Sequence, residues 1–362
     1  MVKSGIVGLP NVGKSTLFNG ITSTEGAKAD NFPFCTIDPN IASIPVPDAR
    51  LNKIATIAGS AKILNSTLEL VDIAGLVKGA NEGEGLGNQF LSNIREVDLI
   101  IHMVRCFENK DIIHVEGRVD PKQDIEIINT ELMLSDLASL EKQLQNIERK
   151  IKKDKDLTAK YELIKKFIDT LSNFKMLHSI KEEIDPDLLK EFQLLTLKPM
   201  LYVLNVGESE VKSGNQYSKE AMEFLDSQGY PYVMISAAIE AEISLLPSGE
   251  RGDFLKYLGL ESSGLDQIIS TAYSMLGLIS FFTAGPQEAR SWTITRNMLA
   301  PQAAGKIHGD FERGFIKAEV LSYDDFVSYN GWIEARKNGK ARLEGKEYAV
   351  QDGDVMIFKH NV

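Results

Sequence analysis

Lys14 and Ser15 close the run Gly8-Leu9-Pro10-Asn11-Val12-Gly13-Lys14-Ser15-Thr16, and their spacing from the two glycines is that of a loop wrapped around a nucleotide's phosphates. Gly8 and Gly13 let the backbone close on phosphate oxygens, while successive N–H groups and the N-terminus of a following helix supply positive potential. The Lys14 ammonium adds a full charge near the β- and γ-phosphates, and the Ser15 hydroxyl is a hard oxygen ligand for Mg²⁺. Asn11, Val12, Gly13, Lys14, Ser15 and Thr16 are therefore the expected phosphate cradle. A plain Gly-containing turn is the alternative, and the flanks argue against it. Gly5-Ile6-Val7 reads as a buried strand, and Thr16, Leu17, Phe18 and Ile21 as the apolar stripe of a helix.

Three further stretches suit the same chemistry. Thr36 lies in Asn31 to Asn40, a loop with two prolines placed where nucleotide switches keep their first mobile loop, and it is the candidate to complete Mg²⁺ coordination. Asp72-Ile73-Ala74-Gly75 ends an apolar strand, so that Asp72 is expected to hold a Mg²⁺-bound water and Gly75 to offer its N–H to the γ-phosphate. The stretch from Lys78 to Gly87 has four glycines in ten residues and reads as the second switch. Asn205-Val206-Gly207-Glu208 stands where guanine-specific proteins carry Asn-Lys-x-Asp, with Ser236-Ala237 in the loop that closes over the base. The longer Glu208 displaces the carboxylate and Val206 removes the covering Lys stem, so guanine specificity should be lost. Adenine's N6 donor and N7 acceptor can then pair with an amide such as Asn205 or with backbone groups.

These residues need strands that end together at one edge, and the chain is long enough to build them. Its 362 residues suggest about two or three domains. The hydrophobic content of 43% and charged content of 25% are those of globular proteins, and no apolar run reaches the ~18 residues of a membrane span. The N-terminus runs into the first strand with no signal-peptide pattern, which together with only two cysteines, Cys35 and Cys106, leads us to expect a cytoplasmic protein without a disulfide framework. A net charge of −11 argues against broad nucleic-acid coating, though not against local basic patches. From Phe107 to Leu197 the strand–helix alternation stops. Met133, Leu137, Leu140, Leu144, Ile147 and Ile151, then Leu157, Tyr161, Ile164, Ile168 and Leu171, recur at spacings of three and four, predicting an antiparallel helical hairpin turned at Lys152 to Asp156. Arg149, Lys150, Lys152, Lys153 and Lys155 make its tip basic, suited either to RNA phosphate or to plain solvent. After a closing helix from Gly264 to Leu278, short strands separated by Gly and Asp turns predict a small final domain with eleven Lys or Arg against eleven Asp or Glu.

With these motifs assembled, the chain resembles the YchF family of Obg-like ATPases, translation-factor-related phosphate-loop proteins, along essentially its whole length. Asn31-Phe32-Pro33-Phe34-Cys35-Thr36, Asp72 to Ala80, Arg105-Cys106-Phe107-Glu108, Asn205 to Glu208 and Ala300 to His308 carry the likeness. The resemblance implies an α/β fold: a nucleotide-binding domain with a mostly parallel sheet (1–122 and 198–278), a coiled-coil hairpin insertion (123–197) and a C-terminal β-grasp TGS domain (279–362). It further implies ATP as substrate, Mg²⁺ held by Ser15, Thr36 and Asp72, and ribosome association through RNA and protein contacts of hairpin and TGS domain, with neither DNA nor membrane as partner. Asn11 is expected to help bind K⁺ beside the phosphates. Related GTPases orient the attacking water with a Gln after the Asp-x-x-Gly, but Leu76 stands there. The resemblance points to His114 as its replacement, acting with Lys14 and Gly75. A GTPase-type ribosome assembly factor and a nucleotide-regulated RNA adaptor with negligible turnover are the competing readings. If His114 orients water, His114→Ala will keep ATP affinity within a few-fold while single-turnover hydrolysis falls roughly tenfold or more. A wild-type rate in that variant assigns His114 to structure.

Overall fold

The computed structural model describes residues 2–28, 41–73, 86–109, 117–151, 157–189 and 191–361. In chain order the first elements are β1 (Lys3–Val7), α1 (Lys14–Lys28), β2 (Ile41–Pro45), α2 (Ala49–Ala58), β3 (Lys62–Leu64), β4 (Thr67–Asp72), α3 (Leu86–Arg95) and β5 (Leu99–Arg105). The inserted segment follows with α4 (Pro121–Lys150), α5 (Thr158–Ser172) and α6 (Pro186–Leu189). The first sheet is then completed by β6 (Met200–Asn205), α7 (Gln216–Gln228), β7 (Tyr232–Ile235), α8 (Ala237–Leu245), α9 (Ser248–Leu258) and α10 (Gly264–Met275). The last module consists of β8 (Leu278–Ala284), β9 (Glu288–Thr295), α11 (Ala300–Ile307), α12 (Gly309–Arg313), β10 (Phe315–Leu321), α13 (Tyr323–Ser328), α14 (Trp332–Lys337), β11 (Arg342–Glu344) and β12 (Val355–His360).

The chain divides into two compact units, residues 1–43 with 69–268 and residues 44–68 with 269–362. The first is an α/β unit whose six-stranded sheet has the order β2-β4-β1-β5-β6-β7. β1 runs parallel to β4 and β5, β5 to β6, and β6 to β7. Every residue of β5 and β6 is buried, the polar His102, Arg105 and Asn205 included, as in strands covered on both faces. The register pairs Ile6 with Asp72, Arg105 with Asn205, and Asn205 with Ile235. The C-terminal ends of five strands thus share one edge, where parallel α/β sheets bind ligands.

The insertion is helical, as the spacing predicts, but its arms are unequal. α4 has 30 residues, about 45 Å at 1.5 Å per residue, whereas α5 has 15. Asp120 caps α4 by accepting from the Gln123 N–H at 3.1 Å. The first half of α4 belongs to the root: Ile125, Ile128 and Leu132 are fully buried, and Asn129 receives the Tyr202 hydroxyl of β6 at 3.1 Å. Asp136 accepts from the Leu195 and Thr196 N–H groups at 3.0 and 2.8 Å and from the Thr196 hydroxyl at 2.7 Å, stapling α4 to the returning chain. Met133, Leu140, Ile147, Ile164 and Leu171 are buried as the seams require, while Leu163 and Phe167 add an apolar flank that the heptad spacing does not contain. The turn 152–156 lies outside the described residues.

The second unit is a β-grasp. Its order is β11-β10-β12-β8-β9-β3, with β8 and β12 parallel at the centre and antiparallel pairs β8–β9, β10–β12 and β10–β11 around them. α11 lays Ala300, Ala303 and Ala304 over Phe281, Ile294, Val320 and Met356. A second core on the opposite face joins Leu51, Ile54 and Ala55 of α2 to Phe282, Ala289, Leu321, Phe326 and Val355. Residues 44–68, which the sequence reading puts in the nucleotide-binding domain, therefore pack with the C-terminal strands, and β3 extends their sheet in parallel with β9. The Arg50 guanidinium ties α2 there, reaching Asp352 at 2.8 Å beside its own N-cap Asp48. A ten-residue helix between two short strands carries no sequence signal of which sheet it will cover. Among the described residues no helix is long and apolar enough to cross a membrane. Because Ile54 is fully buried in the second core, Ile54→Ala should cost about 2–5 kcal/mol in urea unfolding and speed amide exchange in β8 and β12. Unchanged protection of those strands would remove α2 from their core.

Candidate nucleotide-binding site

The loop between β1 and α1 takes a shape that few residues tolerate. Gly8 and Gly13 have φ of 152° and 102°, and Asn11 sits in the left-handed region at 61°. A Cβ on Gly13 would lie 2.3 Å from the Asn205 amide nitrogen, and one on Gly8 2.4 Å from the Met103 carbonyl oxygen. Both glycines are thus required by neighbours as well as by φ. Lys14 is only 8% exposed, and its ammonium donates to the Gly8 and Leu9 carbonyls at 2.8 and 2.7 Å. Burial pulls it down to about 8, against the pull of Asp72 in the other direction. Burial likewise raises Asp72, opposed by Lys14. Their mutual attraction opposes, without reversing, the pull of burial toward the neutral form of each.

Ser15 and Thr16 are exposed on the first turn of α1, open to a phosphate or a metal. Asp72 Oδ1 is buried with no hydrogen-bond partner among the described residues. An orphaned carboxylate oxygen, an exposed hydroxyl and a buried ammonium are a donor set that fits Mg²⁺ with its phosphate ligands. Among the described residues no group of three or more His, Cys, Asp or Glu could hold a metal ion. The Val12 side chain is buried, so its part in the site is backbone.

At the base end the structure changes the role of Asn205. Its amide donates to the Val12 carbonyl at 2.8 Å and accepts from the Ala237 N–H at 2.9 Å, with 4% of the residue exposed. Asn205 therefore ties the phosphate loop to the β7–α8 loop, and both ends of the amide expected to read adenine are already engaged by protein. Val206 and Ala237 are buried beneath the pocket and Ser236 beside them, while the Glu208 side chain stands exposed at the rim. All four line a cavity of about 790 Å³ together with Asn11, Gly13, Lys14, Ser15 and Thr16. This volume suits a nucleotide.

Part of the wall escapes the sequence reading. Phe107, Glu108, Glu210, Asn215 and Tyr217 line the same cavity. Arg105 is buried, donates to the Phe107 carbonyl at 3.1 Å and stacks its guanidinium 4.7 Å from the Phe107 ring centre. Asn215 donates to the Cys106 carbonyl and to Glu210, both at 2.7 Å, and the Tyr217 hydroxyl donates to Glu108. Arg105 to Glu108 is legible only as a family motif, and Asn215 and Tyr217 follow no pattern at all. Thr36, Gly75 and His114 lie outside the described residues. Replacing Asn205 by Ala would leave a buried carbonyl and N–H unpaired, so Asn205→Ala should lower stability by about 1–3 kcal/mol and ATP affinity at least tenfold. Calorimetric titration alongside urea unfolding checks both, and wild-type affinity would refute the tie.

Comparison with known proteins agrees with this geometry. Residues 3–130 match the family model described as a 50S ribosome-binding GTPase, and residues 278–361 match the YchF-GTPase C-terminal model, described as a protein of unknown function (DUF933). The chain is 50% identical to the ribosome-binding ATPase YchF of Haemophilus ducreyi and 49% identical to that of Bacillus subtilis, each over 99% of both chains. A solved structure, the Schizosaccharomyces pombe YchF GTPase, superposes with a TM-score of 0.88 at 36% identity, covering 99% of this chain and 97% of that one. A likeness of this degree, running through the phosphate loop, the helical insertion and the β-grasp alike, means that the chain belongs to the YchF family of P-loop NTPases.

Proposed function

We propose that this protein is a Mg²⁺-dependent ATPase whose nucleotide state governs its docking on the ribosome in the cytoplasm. The observation that carries the choice of ATP is at the base end. A guanine reader holds a fixed carboxylate against N1–H and N2–H, whereas here Glu208 stands exposed at the rim, Val206 offers no covering Lys stem and the Asn205 amide is occupied by Val12 and Ala237. The backbone N–H groups of Asn11 to Thr16 and the Lys14 ammonium bind the triphosphate, and Ser15, Asp72 and Thr36 hold the metal. Mg²⁺, when bound, neutralises charge developing on the β–γ oxygens. Gly75 senses the γ-phosphate with its N–H, and His114 orients the attacking water in place of the missing Gln. Asn11 helps retain K⁺, which supplies charge where a finger arginine otherwise would. Bacterial relatives named ribosome-binding ATPases support the ribosomal half of this reading.

A GTPase reading has one specific observation in its favour, since the Schizosaccharomyces pombe relative is titled a GTPase. Equilibrium titration decides between them. ATP should bind at least as tightly as GTP, and hydrolysis should persist in single-turnover assays with ribosomes present. A tenfold preference for GTP, about 1.4 kcal/mol, would overturn the assignment of the base pocket. Equal cosedimentation with ribosomes in the ATP, ADP and nucleotide-free states would remove the switch.

A further inference from the structure

With both ends of the Asn205 amide engaged, the edge of the base is left to other groups. Two further amides at this end are spent as well. Asn215 gives its N–H groups to the Cys106 carbonyl and to Glu210, both at 2.7 Å, and Gln216 donates to Glu220 at 2.9 Å. The Tyr217 hydroxyl donates to Glu108. Carboxylates keep capacity to spare, since each has about four lone-pair sites on two oxygens, and Glu108, Glu208 and Glu210 all line the cavity. A carboxylate aimed at N1 and N2 selects guanine. One aimed at position 6 selects adenine, because adenine carries an amino donor there and guanine carries O6, itself an acceptor.

The three carboxylates are not equally prepared. Glu208 stands exposed at the rim, after β6, where guanine readers keep their Asp. Glu210 turns inward, its Oε2 accepting from the Gly207 N–H at 3.1 Å and from the Asn215 amide. Glu108 arrives from the other wall, after β5, and is fixed from two sides. Its backbone lies between the Phe107 and Asn109 carbonyls, which accept from Nε and Nη2 of the one buried Arg105 guanidinium at 3.1 and 3.4 Å. Its carboxylate is held through Oε1 by Tyr217, in the first turn of α7. That turn is itself set by Asn215, whose amide oxygen accepts the Ser218 N–H at 2.9 Å while its nitrogen reaches back to the Cys106 carbonyl. The bond to Glu108, before any other cause, raises the Tyr217 phenol above its usual range, so the hydroxyl stays a donor at neutral pH. A side chain already fixed in the free protein loses little further freedom when a ligand binds to it.

We propose that Glu108 selects the base: its carboxylate accepts a hydrogen bond from the N6 amino group of ATP and repels guanine's O6, with Tyr217 as the residue that positions it. The proposal rests on the ATP reading and deepens it by naming the side chain that prefers adenine. Calorimetric titrations of the full chain test it with ATP, GTP and purine riboside triphosphate, which is ATP without the 6-amino group. Wild type should favour ATP over purine riboside triphosphate by about tenfold or more, the order expected of one hydrogen bond to a charged group. Glu108→Ala should bring those two ligands to about equal affinity. Both carry the same triphosphate, so their ratio is untouched by the charge this substitution removes or by a general loosening of the pocket. Tyr217→Phe keeps the ring and drops the hydroxyl. It should shrink the ATP preference roughly three- to tenfold while purine riboside triphosphate binds as it does to wild type, whereas a merely structural part would weaken both ligands alike. Glu108→Gln, whose amide can donate to O6, should raise GTP affinity relative to ATP by about tenfold. An ATP preference over purine riboside triphosphate that survives Glu108→Ala overturns the proposal and leaves the ATP reading standing, and so does a wild type that binds those two ligands alike. A wild type that binds GTP about tenfold more tightly than ATP overturns both.

Discussion

One side-chain amide holds the nucleotide site together. Asn205 ends β6, the fully buried strand between β5 and β7, and bonds at once to the loop after β1 and to the loop after β7. Its reach depends on Gly13, because any Cβ there would occupy the place of the amide nitrogen. The Gly13 that opens the loop to phosphate therefore also admits the clip that fixes the loop in space. With the amide buried at 4% exposure, each of its bonds replaces water that cannot enter, so losing either leaves an unpaired polar group.

Around that clip the two ends of the pocket are built by different means. The phosphate end is backbone geometry plus one buried ammonium balanced against Asp72, an arrangement indifferent to which base is attached. The base end is made by side chains arriving from distant stretches: Val206, the Arg105-supported Phe107, and the Asn215–Glu210 and Tyr217–Glu108 bonds. Relatives of this fold bear both ATPase and GTPase names.

The second unit takes two pieces of chain that the first interrupts. β2 and β4, strands of the nucleotide sheet, run by covalent continuity into residues 44–68, whose α2 and β3 complete the β-grasp core and sheet. Residues 44–68, which lie between α1 and Asp72 in the chain, are thereby part of the C-terminal unit's own stability.

The sequence by itself determined the elements whose signal is local. The glycine spacing and Lys14-Ser15 required a strand-loop-helix cradle, and the three-and-four spacing required a helical insertion. Each of these is readable because neighbours in the chain are neighbours in space. Only the tertiary structure decided that Asn205 spends its amide on Val12 and Ala237, that the first half of α4 belongs to the root of the insertion, and that residues 44–68 pack with the C-terminal strands. It alone brought Asn215 and Tyr217 to the pocket wall. The physical reason is the same throughout. A hydrogen bond across 193 residues and a short helix's choice of sheet depend on where distant chain segments meet, and no local period records that.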